Sequence, residues 1–349
     1  MAEPVLRVRD LDVRFGTKQG TAHVVRGLSY DLHPGETLAI VGESGSGKSV
    51  ATLAMTKLIP MPPGRVTGEV VLDGDELLGL PEKKLLGYRG RRIGYVFQDS
   101  MTALNPLHTV GRQLTEGMRF HLGLSDAHAR ERAVDLLDKV GIPDAANRLD
   151  DYPHQFSGGM RQRVVIAIGL SCDPEVLVAD EATTALDVTT QAQIVDLVNR
   201  LQEDLGMGVI WITHDLGVVA GIADRVLVMY AGEAVEEADV DTLFASPRHP
   251  YTVGLLRSLP VLGEGEQADL YTIPGLPPAP TDLPPGCAFH PRCPYRTDPR
   301  CADERPPLTE VAPHHRIRSF YTVPEADARD AAASRRIEVE PPDATEHGS

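Results

Sequence analysis

Thr37-Leu-Ala-Ile-Val41-Gly42-Glu43-Ser44-Gly45-Ser46-Gly47-Lys48-Ser49-Val50 is the stretch on which the fold turns. Thr37–Val41 reads as a short strand without polar alternation, the pattern of a strand buried on both faces. Gly42–Ser49 fits G-x-x-x-x-G-K-[ST], and a helical stretch opens near Lys48. Strand, glycine loop and helix in that order make a phosphate cradle. The glycines let the backbone wrap a phosphate chain with its N–H groups turned inward, and the helix N-terminus adds about half a positive charge. Lys48 is placed to reach β- and γ-phosphate oxygens, and the Ser49 hydroxyl to meet Mg2+. Gly42, Ser44, Gly45, Ser46, Gly47, Lys48, Ser49 and Val50 are therefore the candidate nucleotide contacts. A dinucleotide fingerprint does not fit: Val50 stands where G-x-G-x-x-G, begun at Gly45, needs its last glycine.

Outward from the loop, Leu6–Val13, Arg92–Val96, Val176–Ala179, Gly208–Thr213 and Arg225–Met229 read as further strands, alternating with helical patterns. In Thr189–Leu205, Ile194, Leu197, Val198, Leu201 and Leu205 form one apolar stripe, and Gly206 follows as a C′ glycine. The class is α/β with a mostly parallel sheet. Val176-Leu-Val-Ala-Asp180-Glu181 delivers two carboxylates at the end of a buried strand, where open α/β sheets bind ligands. Asp180 is assigned to Mg2+, and Glu181 to orienting and deprotonating an attacking water.

Residues 99–156 hold helical patterns at Thr109–His121 and Asp126–Val140 and no strand, so a helical subdomain (about 99–172) interrupts the core. Past Pro247 the texture changes. Twelve of the 28 prolines fall in Pro274–Pro313, which excludes regular helix or central sheet there. The chain thus divides into a core domain (1–245), a Pro- and Cys-rich extension (246–323), and an acidic, Ala-rich tail (324–349) expected to be disordered.

The 349 residues carry 34 basic and 50 acidic side chains, net −16, which argues against a nucleic-acid surface or a basic lipid-binding patch. Aromatics at 5% leave little for base stacking. No apolar run approaches the roughly 18 residues of a membrane span, and Met1–Asp10 lacks the apolar core of a signal peptide. A cytosolic soluble protein is the expectation.

Phe156-Ser157-Gly158-Gly159-Met160-Arg161-Gln162 ends 19 residues before Glu181 and resembles the signature of ATP-binding-cassette (ABC) ATPases. The other motifs match in order: Gln98 as the Q-loop, Ala185-Leu186-Asp187 as the D-loop, His214 as the switch histidine. Phe15 looks like the aromatic that stacks on adenine. The resemblance covers residues 5–240 and implies the ABC nucleotide-binding fold, with a β-subdomain and a helical subdomain around the phosphate-loop core. It implies ATP and Mg2+ as cofactors, the metal held through Ser49, Gln98 and Asp180. Glu181, His214 and Gln98 would be catalytic. Ser157, Gly158, Gly159 and Gln162 would face the ATP of an opposite cassette, because Ser157–Gly159 also opens an apolar helix and so makes a second anion-binding end. One phosphate loop and one signature imply a second ATPase subunit, identical or related.

Ser246-Pro-Arg-His-Pro-Tyr-Thr-Val-Gly-Leu-Leu256, Ile273-Pro-Gly-Leu-Pro-Pro278 and Pro285-Gly-Cys-Ala-Phe-His-Pro-Arg-Cys-Pro-Tyr295 resemble the extension of oligopeptide, dipeptide and nickel importer ATPases. Gln98-Asp-Ser-Met-Thr-Ala-Leu-Asn-Pro106 is similar to that subfamily's Q-loop. The implied role is driving peptide import through two transmembrane permease subunits fed by an extracytoplasmic substrate-binding protein, from the cytoplasmic face of the membrane. A nickel or metal-chelate cargo is the alternative within the class. A soluble cassette ATPase acting on nucleic acid is the alternative outside it, and the coiled-coil arms or basic linkers it would need are missing from the sequence.

Cys287, Cys293 and Cys301 lie in the proline-rich loop. Members of the subfamily often carry a fourth cysteine downstream, and some hold a [4Fe–4S] cluster; here Ser319 stands at the corresponding place. Three thiolates leave one iron short of a ligand, which Ser319, His290, His314 or solvent could supply. Zinc on three Cys and one His, or three reduced thiols without metal, are the other readings. Cys172 reads as a small core residue.

Overall fold

The computed structural model describes residues 3–184, 186–259 and 271–333. Its strands in chain order are β1 (Leu6–Thr17), β2 (Gly20–Leu32), β3 (Thr37–Val41), β4 (Gly64–Leu72), β5 (Asp75–Glu76), β6 (Ile93–Val96), β7 (Val176–Asp180), β8 (Gly208–Thr213), β9 (Arg225–Tyr230), β10 (Glu233–Asp239), β11 (Thr309–Ala312) and β12 (His315–Ile317). They form an antiparallel sheet, β2-β1-β4-β5, and a mixed sheet, β11-β12-β10-β9-β3-β8-β7-β6. Strands β6, β7, β8, β3 and β9 run parallel, with β3 between β8 and β9. All five coincide within a residue with the apolar runs in the sequence.

The two-residue period of β3 divides the core. Leu38 and Ile40 face the antiparallel sheet, joining Ile210, Leu227, Leu6 and Leu11, with the phosphate-loop helix Lys48–Met55 contributing Ala51 and Met55. Ala39 and Val41 face the other way, towards Tyr251, Leu256 and Phe289 of the extension. Further along the sheet, Leu177, Ala179, Val209 and Trp211 pack against the helical subdomain. Its helices Val110–Leu122 and Asp126–Lys139 begin where the sequence supplies caps: Thr109 accepts from the Arg112 N–H and Ser125 from the His128 N–H, both at 3.3 Å.

The antiparallel sheet exceeds the sequence reading. Strand β1 runs on to Thr17, and register shifts at both of its edges break the alternation that would have marked it. The proline-rich stretch holds a 3-10 turn (His290–Arg292), a single helical turn (Arg300–Asp303) and β11, which lies at the sheet edge where proline does little harm. The expectation of a disordered tail from residue 324 is corrected for its first part. Glu325–Ala333 is a helix that buries Ala328 and Ala331, with Tyr295 Oη donating to Asp327 at 3.0 Å. Alanine is the strongest helix former, and a stripe of small side chains docks without the large apolar residues whose scarcity suggested disorder. The remainder of that tail, 334–349, lies outside the described residues. No helix among the described residues is long and apolar enough to cross a membrane.

Candidate active site

The phosphate loop closes around its own lysine. Gly42, Gly45 and Gly47 have φ of +152°, +79° and +98°. A Cβ on Gly47 would stand 2.6 Å from the Val24 carbonyl, and one on Gly42 would collide with the Met229 carbonyl, so only glycine lets the loop pass between β2 and β9. Lys48, 5% exposed, donates from Nζ to the carbonyls of Gly42 (2.8 Å) and Glu43 (3.1 Å). Burial lowers its pKa, opposed by the nearby carboxylates of Glu181, Asp180 and Glu43.

The opposite wall comes from the ends of β6, β7 and β8. Ser49 Oγ donates to Asp180 Oδ1 at 3.0 Å, and burial raises the pKa of Asp180 against that bond. Glu181 sits at φ +48°, a conformation uncommon for a side chain this large and one that turns its carboxylate into the cleft. Three residues converge on that carboxylate. Gln98 Nε2 donates to Oε2 at 2.7 Å, Thr184 Oγ1 to the same oxygen at 3.2 Å, and His214 Nδ1 lies 3.4 Å from Oε1. Lys48, Ser49, Gln98, Glu181 and His214 thus share one cavity of about 680 Å³. Cationic loop, half-buried carboxylate and positioned glutamate are the parts of a phosphoryl-transfer site.

Two comparisons of sequence bear on this geometry. Residues 25–184 match the family model described as "ABC transporter", and residues 235–301 the one described as "Oligopeptide/dipeptide transporter, C-terminal region". The oligopeptide transport ATP-binding protein OppD of Bacillus subtilis is 49% identical over 343 residues, 97% of this chain and 92% of that one. OppD of Salmonella typhimurium is 48% identical over 324 residues, 93% and 96%. The chain belongs to the ABC transporter family. Among solved structures, the dimeric post-hydrolysis state of the ATP-binding cassette MJ0796 bound to ADP and Pi superposes with a TM-score of 0.60 at 28% identity, covering 67% of this chain and 98% of that one.

The remaining ABC motifs do not line the cavity. Ser157 caps the helix Gly158–Leu170 by accepting from the Met160 N–H, and Ser157 and Gly158 are exposed. Gln162 is 2% exposed, with no hydrogen-bond partner for its amide nitrogen among the described residues, so it stands behind that helix end rather than on it. Asp187 caps Val188–Leu205, accepting from the Thr190 N–H at 3.0 Å and the Thr190 hydroxyl at 2.8 Å. Ala185 of the same motif lies outside the described residues. Phe15 is half-buried among the antiparallel-sheet side chains, while Val24 lines the cavity. The sequence reading missed Thr184, three residues after Glu181 in a run of small residues. It also missed Glu43, which occupies an unspecified position of the loop motif.

Cys287, Cys293 and Cys301 are unbonded and line one small cavity with Ser319 and His290. Burial raises all three thiol pKa values, Cys287 to about 11. Ser319 Oγ donates to the Tyr321 carbonyl at 2.7 Å and accepts from the Tyr321 N–H at 3.0 Å. Among the described residues no group of three or more His, Cys, Asp or Glu is placed to hold a metal ion.

Proposed function

We propose that this chain hydrolyses ATP to drive uptake of di- and oligopeptides across the cytoplasmic membrane. The observation that carries the reading is the convergence of Gln98, Thr184 and His214 on Glu181, opposite Lys48, in a chain whose C-terminal part matches that of oligopeptide and dipeptide transporters. ATP lies with its phosphates on the Gly42–Ser49 loop and its adenine towards Phe15. Glu181 takes a proton from water, whose oxygen bonds to the γ-phosphorus. The bond from that phosphorus to the β–γ bridging oxygen breaks, and ADP leaves with the electron pair. Gln98 and His214 hold the Glu181 carboxylate towards that water, and Lys48 offsets charge on the phosphates.

Mg2+ fits the residues present. Ser49 and Asp180 place two oxygens side by side, Gln98 stands on the same cavity wall, and Asp180 has no ion-pair partner among the described residues; phosphate oxygens and water complete such sites. Bound there, the ion would neutralise phosphate charge. A [4Fe–4S] cluster has narrower support. Cys287, Cys293 and Cys301 line one cavity, but among the described residues they are not placed together as metal ligands and the Ser319 hydroxyl is bonded to Tyr321, so the residues present do not fit the cluster.

Because Ser157 and Gly158 are exposed and away from the cavity, a second ATPase subunit supplies that helix end to the nucleotide bound here. Two permease subunits carry the pathway, an extracytoplasmic binding protein delivers peptide, and the chain sits at the cytoplasmic face. In the assembled complex, Glu181→Gln is expected to keep ATP binding and lose at least about a hundredfold in hydrolysis and peptide uptake together. Hydrolysis within threefold of wild type would remove Glu181 as the base.

A further inference from the structure

The phosphate loop carries a carboxylate where an anion must bind. Glu43 follows the first loop glycine and lines the nucleotide cavity. An uncompensated glutamate at that place repels the polyphosphate it borders. Its compensation comes from 249 residues downstream. Arg292, whose side chain is 6% exposed, donates from Nη1 to Glu43 Oε2 at 2.8 Å and from Nη2 to Oε1 at 3.1 Å, a two-bonded fork. The guanidinium is fixed from behind by the carbonyls of Pro274 (3.0 Å) and Ile273 (3.3 Å), and it lies 5.8 Å from the Tyr230 ring centroid. The extension holds the same loop residue at its backbone too: Tyr251 Oη accepts from the Glu43 N–H at 2.9 Å. Leu255, on the helix that begins at Pro250, lines the cavity itself.

We infer that the C-terminal extension completes the nucleotide site, with Arg292 as a positioning residue that neutralises Glu43 and holds the phosphate loop open to ATP. The extension thereby acts on the nucleotide step directly. With Arg292 withdrawn, Glu43 is left as an unpaired carboxylate beside the phosphates. This rests on the reading of the cavity as the ATP site.

ATP–Mg2+ titrations of the full-length chain, at low and at high salt, test the assignment. Arg292→Gln is expected to weaken ATP binding about tenfold at low salt, with the loss shrinking as salt rises. Removing the offending charge as well, in Arg292→Gln/Glu43→Gln, is expected to restore affinity to within about threefold of wild type. Glu43→Gln alone, which keeps the size of this half-buried side chain, is expected to tighten binding about threefold, because Arg292 is then free to attract phosphate. A merely structural clamp predicts the reverse: the double variant as weak as Arg292→Gln, and Glu43→Gln weaker than wild type. Either result, or Arg292→Gln within twofold of wild type, overturns the inference. Should Arg292→Gln not fold, Glu43→Gln decides alone. Lys48→Ala separates the two readings: if wild type binds no ATP, or Lys48→Ala binds as well as wild type, the cavity assignment itself has failed.

Discussion

The two ends of the mixed sheet are buried by opposite chemistry. Strands β3, β7 and β8 are sealed by Leu, Ile, Val, Ala and one fully buried Trp211, each residue in a slot its strand's own alternation assigns. Strand β10, towards the other end and third from its edge, buries Glu233, Glu236 and Glu237. Every one is met by partners far away in the chain. Glu233 faces Arg26 and Arg305, and Glu237 faces Arg225 and Arg316. Glu236 pairs with His315 at 2.6 Å and accepts from the N–H groups of Arg248 (2.6 Å) and His249 (2.9 Å). Most of these partners lie in the extension. The apolar end is stabilised by area removed from water and tolerates changes of shape. The charged end is stabilised by pairing each carboxylate with cations, and losing one partner strands the others.

Conservative substitutions at the two ends break or sharpen that contrast. Glu236→Gln changes almost no volume, yet an amide has one acceptor oxygen where three donors now meet two. The expected loss is about 3–5 kcal/mol, near the cost of breaking a buried pair. Trp211→Phe removes far more atoms, but the indole N–H has no hydrogen-bond partner among the described residues, so about 1–2 kcal/mol is expected from the cavity alone. Urea midpoints of the two variants at neutral pH give the order. If Trp211→Phe proves the more damaging, β10 is not held by satisfaction of its carboxylates.

The same contrast sets what the sequence made legible. The phosphate loop, the Asp180–Glu181 pair and the five parallel strands are written in contiguous residues, because a strand buried on both faces needs nothing but apolar side chains. Helix starts at Thr109, Ser125, Ser157 and Asp187 are local for the same reason, since a cap bonds two or three residues ahead. Strand β10 could not be read this way: Glu233-Ala-Val-Glu-Glu-Ala-Asp239 looks solvent-exposed until its cations arrive from Arg26 and from residues beyond 300. The bond from Arg292 to Glu43 is equally non-local, and so the tie between the extension and the phosphate loop escaped sequence reading. Gln162 illustrates the converse. Its place in a motif suggested an outward role, and only packing reveals it to be buried.

A smaller effect should appear where the charged end meets the extension, at His249. The imidazole is 1% exposed, and its Nδ1 accepts from the Tyr251 N–H at 3.1 Å, which requires that nitrogen to carry no proton. Burial pulls its pKa down to about 4, against the attraction of Glu236. The unfolded chain, with an ordinary imidazole near 6.5, takes up the proton first. Stability from the neutral buried ring is therefore complete above about pH 6.5, declines as pH falls below it, and is spent below about pH 4. The whole span corresponds to about 3 kcal/mol. His249→Asn keeps a side-chain acceptor at a helix N-cap but does not titrate. Urea unfolding of both proteins at pH 7, 6 and 5 should give curves that converge as pH falls, the variant losing less than wild type at each step. Parallel curves would mean that the ring takes up its proton as readily in the fold as in the unfolded chain, and that Glu236 fully offsets its burial.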